Sequence, residues 1–273
     1  MTSTERVELH GAAATTLMTL FLHRLDARAR RPILGDPYAE DVYDRIDHDV
    51  HGLWQATGDA TAIVCRAAVL DRWTREFLAG DPDGQVLHLG CGLDSRPLRV
   101  GAPPSCRWVD VDQPEVIDAR TRLYDLPAHV VQVAGSLTGD DWWDAVDPER
   151  PTLAVAEGVF MYLPPRAVHA TVERIASGTP RGEIAFDAVA PWTVAVTHWA
   201  PFFRALGTTF DWAWDPADFA DRHPDLFARD DVSIYDEVIL REPRIWLRPL
   251  LATAGLLPAL QDSMRLHRFT VGP

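Results

Sequence analysis

Only three cysteines occur in the 273 residues, Cys65, Cys91 and Cys106, and none form a Cys-x-x-Cys pair, so neither a disulfide framework nor a zinc site is indicated. Basic residues are scarce. Twenty-six of them against 40 acidic ones leave a net charge of -14, which repels a phosphate backbone and argues against nucleic acid as a partner. No apolar run approaches the roughly 18 residues of a membrane span, and Glu5, Arg6 and Glu8 stand where a signal peptide needs an apolar core. A cytoplasmic protein without a membrane span or leader is expected. Internal repeats and low-complexity tracts are missing too, and the first third contains no lysine.

What is present is apolar material: 47% of residues are hydrophobic and 24% charged, enough for a large globular core. Leu17, Leu20, Phe21 and Leu25 recur at helical spacing until Pro32 and the Gly35-Asp36-Pro37 turn, and a second helix follows from Tyr38. Asp59 or Thr61 caps a longer helix whose apolar face holds Ile63, Ala67, Leu70 and Phe77, closing at Gly80 and Pro82. Residues 1–80 thus read as a helical N-terminal cap.

From residue 81 the texture changes. Short apolar strands at 86–89, 107–111, 130–133, 153–156 and 183–187 alternate with helices at 113–124 and 164–177, the rhythm of a doubly wound α/β domain with a parallel sheet. Ligands of such sheets bind at the carboxyl ends of the central strands, where strand order reverses. The stretch 191–240 is aromatic-rich, acidic and poorly periodic, and reads as a substrate-binding insertion. A helix at 243–254 and a final antiparallel edge strand at 264–271 complete the expected core.

Three segments carry chemistry. In the first, Leu87-His88-Leu89-Gly90-Cys91-Gly92-Leu93-Asp94-Ser95-Arg96, a strand empties into a Gly-x-Gly turn. The third glycine of a dinucleotide fingerprint is replaced by Ser95, and Asp94 opposes a pyrophosphate, which argues against a nicotinamide-dependent reductase. Backbone donors, the Asp94 carboxylate and Arg96 instead suit the zwitterionic methionine end of S-adenosylmethionine.

In the second segment, Asp110 and Asp112 follow Gly90 by 20 and 22 residues, and a strand-end carboxylate there can accept both ribose hydroxyls of an adenosine. Strand alternation is expected to let one of the pair face the ligand. Asp112 is the choice, with Asp110 supporting the loop or capping the next helix. The third segment, Ala156-Glu157-Gly158-Val159-Phe160-Met161-Tyr162-Leu163, puts Glu157 at the end of a neighbouring strand.

Together with Gly35-Asp36-Pro37-Tyr38-Ala39, Arg66 and Asp71, these blocks resemble the leucine carboxyl methyltransferase superfamily, and within it the TcmP-like bacterial O-methyltransferases of polyketide biosynthesis. The resemblance spans about residues 11–190. It implies an α/β class I methyltransferase fold, Rossmann-like, with a seven-stranded, mostly parallel sheet, a helical cap and an aromatic-rich insertion, using S-adenosylmethionine to methylate a carboxylate. It also implies that Arg66 meets the cofactor's carboxylate, that Gly90, Cys91, Gly92, Asp94 and Arg96 form its loop, that Asp112 meets the ribose, and that Glu157 lies beside it. Ser136 and Leu137 fall where the family has an aspartate and a leucine near the adenine, and Arg24 or another cation must replace any lysine from the cap.

A carboxylate acceptor needs no general base, since it is ionised near neutral pH, whereas a phenol makes one useful and brings in His169 or His198. Tyr162 is the residue expected nearest the transferred methyl group. Trp192, Trp199, Phe202, Phe203, Phe210, Trp212 and Trp214 are expected either to line a pocket for a flat small-molecule acceptor, such as an aromatic acid, or to form the insertion's own core. A protein that holds the cofactor without catalysis is the alternative from another class.

Overall fold

The computed structural model describes residues 5–47, 61–179, 181–241 and 257–272. Helix α1 (Thr15–Ala27) and helix α2 (Pro37–Asp44) pack as a pair, and helix α3 (Thr61–Gly80) follows. The turn between α1 and α2 is tied down by carboxylates. Asp26 accepts from the amides of Ile33, Leu34 and Gly35 at 2.8–2.9 Å, and Asp36 caps α2 through the amides of Tyr38 and Ala39. The expected caps of α3 divide: Thr61 opens the helix, while Asp59 lies outside the described residues.

Next come strand β1 (Gln85–Leu89), β2 (Arg107–Asp112), helix α4 (Pro114–Leu123), β3 (Val130–Ala134), β4 (Thr152–Ala156), helix α5 (Pro165–Gly178) and β5 (Gly182–Val189). Three short helices follow, α6 (Pro191–Thr197), α7 (Pro201–Leu206) and α8 (Pro216–Arg222), then β6 (Leu226–Ser233), helix α9 (Ile234–Arg241) and β7 (Met264–Val271). The sheet runs β3-β2-β1-β4-β5-β7-β6, parallel from β3 to β5, with β7 antiparallel to both neighbours.

Alternation along the buried strands feeds two cores. Val86, Trp108, Leu153 and Val155 face α3, packing on Leu70, Trp73 and Phe77, whereas Leu87, Val109, Ala154 and Ile184 face Val168, Val172 and Ile175 of α5. A third core joins α1 and α2 to α4 through Leu17, Phe21, Val42, Val116 and Ala119. The cap therefore docks on the helix that follows β2, over the carboxyl ends of the strands.

Two expectations need correction. The stretch 191–240 is not wholly an insertion, because β6 within it forms the sheet's outer edge, and β7 sits one place inward. Arg229, Asp230 and Asp231 hide β6 in the sequence, and its pairing slips between Ala228 and Asp230; both are devices by which edge strands resist pairing with other chains. The helix expected at 243–254 lies outside the described residues.

Candidate functional site

Strand order reverses between β1 and β4, since β2 and β3 lie on one side of β1 and β5 on the other. At that point a cavity of about 380 Å³ opens beneath α1. Arg66, Gly90, Cys91, Gly92, Asp94, Asp112, Glu157 and Tyr162 all line it.

The turn after β1 is built around residues in left-handed backbone. Gly92 has φ +52°, and a Cβ there would run into Thr16 Oγ1 on α1. All five amides from Gly90 to Asp94 donate within the protein. Those of Gly90 and Cys91 go to the Val111 carbonyl (2.8 and 3.1 Å), Gly92 to Asp112 Oδ2 (2.7 Å), Leu93 to Thr16 Oγ1 (2.7 Å) and Asp94 to the Cys91 carbonyl (3.1 Å). The expected backbone donors are thus already engaged. A pyrophosphate site needs free amides at this turn, and none of these five is free.

Asp110 and Asp112 are two apart, so they share a face of β2, and alternation does not separate them; depth along the strand does. Asp110 is fully buried opposite His88, held by Arg120 Nε (2.9 Å), Trp108 Nε1 (2.8 Å) and His88 Nδ1 (3.1 Å). Arg120 in turn donates to the carbonyls of Asp94 (2.5 Å) and Gly92 (3.3 Å), so Asp110 supports the loop through that arginine. Asp112, at the strand end, is the one that reaches the cavity.

Beneath the cavity lies a buried ionic lattice. Arg66 donates to Glu157 Oε1 (2.9 Å) and Asp187 Oδ2 (3.0 Å), and Asp187 also accepts from the Gly158 amide at 2.6 Å. The guanidinium packs so closely on Gly158 that a Cβ there would sit 3.0 Å from Nη2. Arg96 donates to Asp71 (2.9 Å), His88 Nε2 (3.1 Å) and Glu157, with Asp94 at 3.3 Å. Because Arg96 can only donate, the His88 proton is assigned to Nδ1, facing Asp110. Arg99 binds Asp71 (2.7 Å), Asp94 (2.6 Å) and Asp36 (2.9 Å), tying cap to loop.

Seven buried or partly buried carboxylates and four buried guanidiniums gather in this region, with the half-exposed Arg75 reaching Asp71 from outside. Burial pushes the Asp94 carboxyl up, but Arg99 and Arg96 outweigh it and hold it well below its ordinary 3.8. Burial likewise raises Glu157, and Arg66 and Arg96 bring it below its usual value. For Asp112 and Asp187 burial wins, and both sit above the ordinary value despite the amides and Arg66. The surplus of negative charge favours a cationic ligand and disfavours phosphates.

Three expected site residues do not line the cavity. Arg96 is fully buried under the loop, its donors consumed by the lattice. Ser136 is exposed and bonds Thr138 Oγ1 (2.8 Å) in a turn beyond β3, and Leu137 packs toward α5, its carbonyl accepting from Thr171. Arg24 pairs with Asp44 at 2.8 Å and does not line the cavity. His169 stacks on His223, and His198 is exposed at the end of α6; neither reaches the cavity. The aromatic set splits. Phe203 and Phe210 line the cavity, Trp212 and Trp214 join the core, Trp192 and Trp199 are exposed, and the side chain of Phe202 lies outside the described set. Asp187 was missed, with no motif to mark it.

The family model of leucine carboxyl methyltransferase matches residues 16–176. The chain belongs to that family. It is 39% identical to the tetracenomycin polyketide synthesis O-methyltransferase TcmP of Streptomyces glaucescens, over 97% of this chain and 99% of the relative. It is 32% identical to the S-adenosyl-L-methionine-dependent methyltransferase dpfgK of Gibberella zeae, over 82% and 83%. Its fold is shared with a DUF574-family protein from Streptomyces avermitilis (TM-score 0.60, 14% identity, 95% and 97% covered). Magnesium protoporphyrin IX methyltransferase from Synechocystis shares it too (TM-score 0.51, 12% identity, 81% and 93% covered). The protein is an S-adenosylmethionine-dependent methyltransferase. Among the described residues, no helix is long and apolar enough to cross a membrane.

With its turn amides engaged, the methyltransferase is expected to give no heat on titration with NADH, under conditions where S-adenosylmethionine gives a saturable isotherm. A saturable NADH isotherm would contradict this reading of the turn.

Proposed function

We propose that this methyltransferase transfers a methyl group to a carboxylate oxygen of a small aromatic molecule, forming a methyl ester. The cavity's volume falls in the roughly 300–1,000 Å³ range of small-ligand sites, and its charge suits a sulfonium bearing an amino acid. S-adenosylmethionine, when bound, supplies an electrophilic methyl group. Arg66 is the residue to hold its carboxylate, Asp94 and Glu157 offer oxygens to its ammonium, and Asp112 is suited to its ribose hydroxyls.

The observation that carries the choice of acceptor is the cavity's other wall. Met161, Phe203, Phe210 and Met264 form one contiguous apolar surface with Tyr162, whose ring meets Phe210 edge-on at 5.0 Å. Every methionine among the described residues, Met18, Met161 and Met264, lines the cavity, a polarizable lining that adapts to a flat ring system. Burial pushes the Tyr162 phenol up to about 12, against the Thr15 hydroxyl beside it, so it stays protonated and donates a hydrogen bond rather than taking a proton. Among the described residues of this wall there is no base. A carboxylate requires none, and holding its oxygen in line while water is excluded is what the wall contributes. The polyketide synthesis O-methyltransferase among the relatives supports transfer to an oxygen of a polyketide-type acceptor.

The test is incorporation of labelled methyl into a panel of aromatic acids and phenols, followed by mild alkali. An ester releases the label as methanol, which is the expected outcome. Alkali-stable label on a phenol would identify an ether and overturn the carboxylate assignment.

A further inference from the structure

His23, on α1, is 2% exposed and lines the cavity, yet its Nε2 has no hydrogen-bond partner among the described residues. Buried polar atoms are seldom left unpaired, so an orphan at a cavity wall points to a group that arrives with the ligand. Its Nδ1 lies 3.6 Å from Asp36 Oδ2, and ligating atoms of His23, Asp36 and Asp94 lie within 4.8 Å of one another. That triplet has the make-up of a metal site. Arg99 already fills the role of its cation, with Nη1 at 2.9 Å from Asp36 and 2.6 Å from Asp94.

Asp94 reaches Glu157 through Arg96, and Glu157 reaches Arg66, so His23 belongs to the ionic end of the cavity and not to the wall of Phe203 and Phe210. We propose that His23 is a cofactor-binding residue which, from the roof of the cavity, meets the charged amino-acid end of S-adenosylmethionine opposite Arg66. This rests on the assignment of that end to Arg66, Asp94 and Glu157. It also supplies the polar contact from the cap for which Arg24, turned toward Asp44, is wrongly placed.

The test compares three ligands by calorimetry on the full chain: S-adenosylmethionine, S-adenosylhomocysteine, and 5′-methylthioadenosine, which keeps the adenosyl thioether but lacks the amino acid. His23→Leu is expected to weaken the first two by about tenfold or more, the loss of one charge-assisted contact, and to leave the third within about twofold. His23→Gln, which restores a polar group, is expected to recover part of the loss. Because 5′-methylthioadenosine reports an intact site, misfolding is recognised directly. Equal weakening of all three ligands would make His23 a structural residue, and unchanged affinities with a lower kcat and an altered pH–rate profile would make it a base; either overturns the proposal. A wild-type protein that binds the thioadenosine but neither amino-acid ligand would instead sink the assignment on which it rests.

Discussion

Arg66→Met is expected to abolish measurable S-adenosylmethionine binding and to lower the thermal midpoint by about 10 °C. The side chain links α3 to the ends of β4 and β5, through Glu157 at 2.9 Å and Asp187 at 3.0 Å, with Asp187 completely buried. Removing one partner of a buried ion pair costs about 3–5 kcal/mol, because the other charge is left without compensation. Glu157 retains Arg96, so the cost falls on Asp187, which keeps only the Gly158 amide among these partners. For a chain of this size each kcal/mol moves the midpoint by roughly 2–4 °C. The double variant Arg66→Met, Asp187→Leu separates the two roles. Without a stranded carboxylate it is expected to regain much of the midpoint while still failing to bind the cofactor, as followed by circular dichroism and calorimetry. Wild-type affinity in Arg66→Met would remove this arginine from the site.

Gly92→Val is expected to weaken cofactor binding by about a hundredfold or more, a change of roughly 2.7 kcal/mol. Two effects combine. Left-handed backbone disfavours a β-branched residue, and the new side chain would drive into Thr16, whose oxygen anchors the Leu93 amide at 2.7 Å. The clash falls on the contact by which α1 closes over the loop. Gly101→Val provides the control, since Gly101 has φ +68° but nothing within 4 Å of a Cβ. It is expected to lose stability from strain and to keep cofactor affinity. Equal affinity losses in both variants would show that strain alone, and not closure of the cap, sets binding.

The sequence was most informative where physics is local. The Gly-x-Gly turn, the carboxylate ending β2 and the one just after β4 each follow a short apolar run bounded by turn residues, so the positions of Gly92, Asp112 and Glu157 at the cavity were legible before any coordinates. Arg96 was misread because its neighbourhood in the chain is the loop, whereas its partners Asp71, His88 and Glu157 come from three other elements. Asp187 was invisible for the same reason: a lone carboxylate in an apolar strand acquires meaning only when an arginine 121 residues earlier is folded onto it. Strand β6 was hidden by its charges, which suit an edge and defeat a pattern search. Ser136 and Leu137 were placed by resemblance at a point where this chain departs from the family, and the turn after β3 holds them outside the cavity.

That long reach in sequence bears on how the protein comes into being. Contacts between remote positions form late, since much of the chain must first be ordered to bring them together. Until β5 has joined the sheet, α1 and α3 can be helical and the glycine turn fully shaped, yet Arg66 lacks one of its two carboxylate anchors, Asp187, and keeps only Glu157. If Arg66 holds the cofactor as proposed, full affinity is therefore expected only once β5 has taken its place, and it would report completion of the assembly more strictly than any measure of helix content.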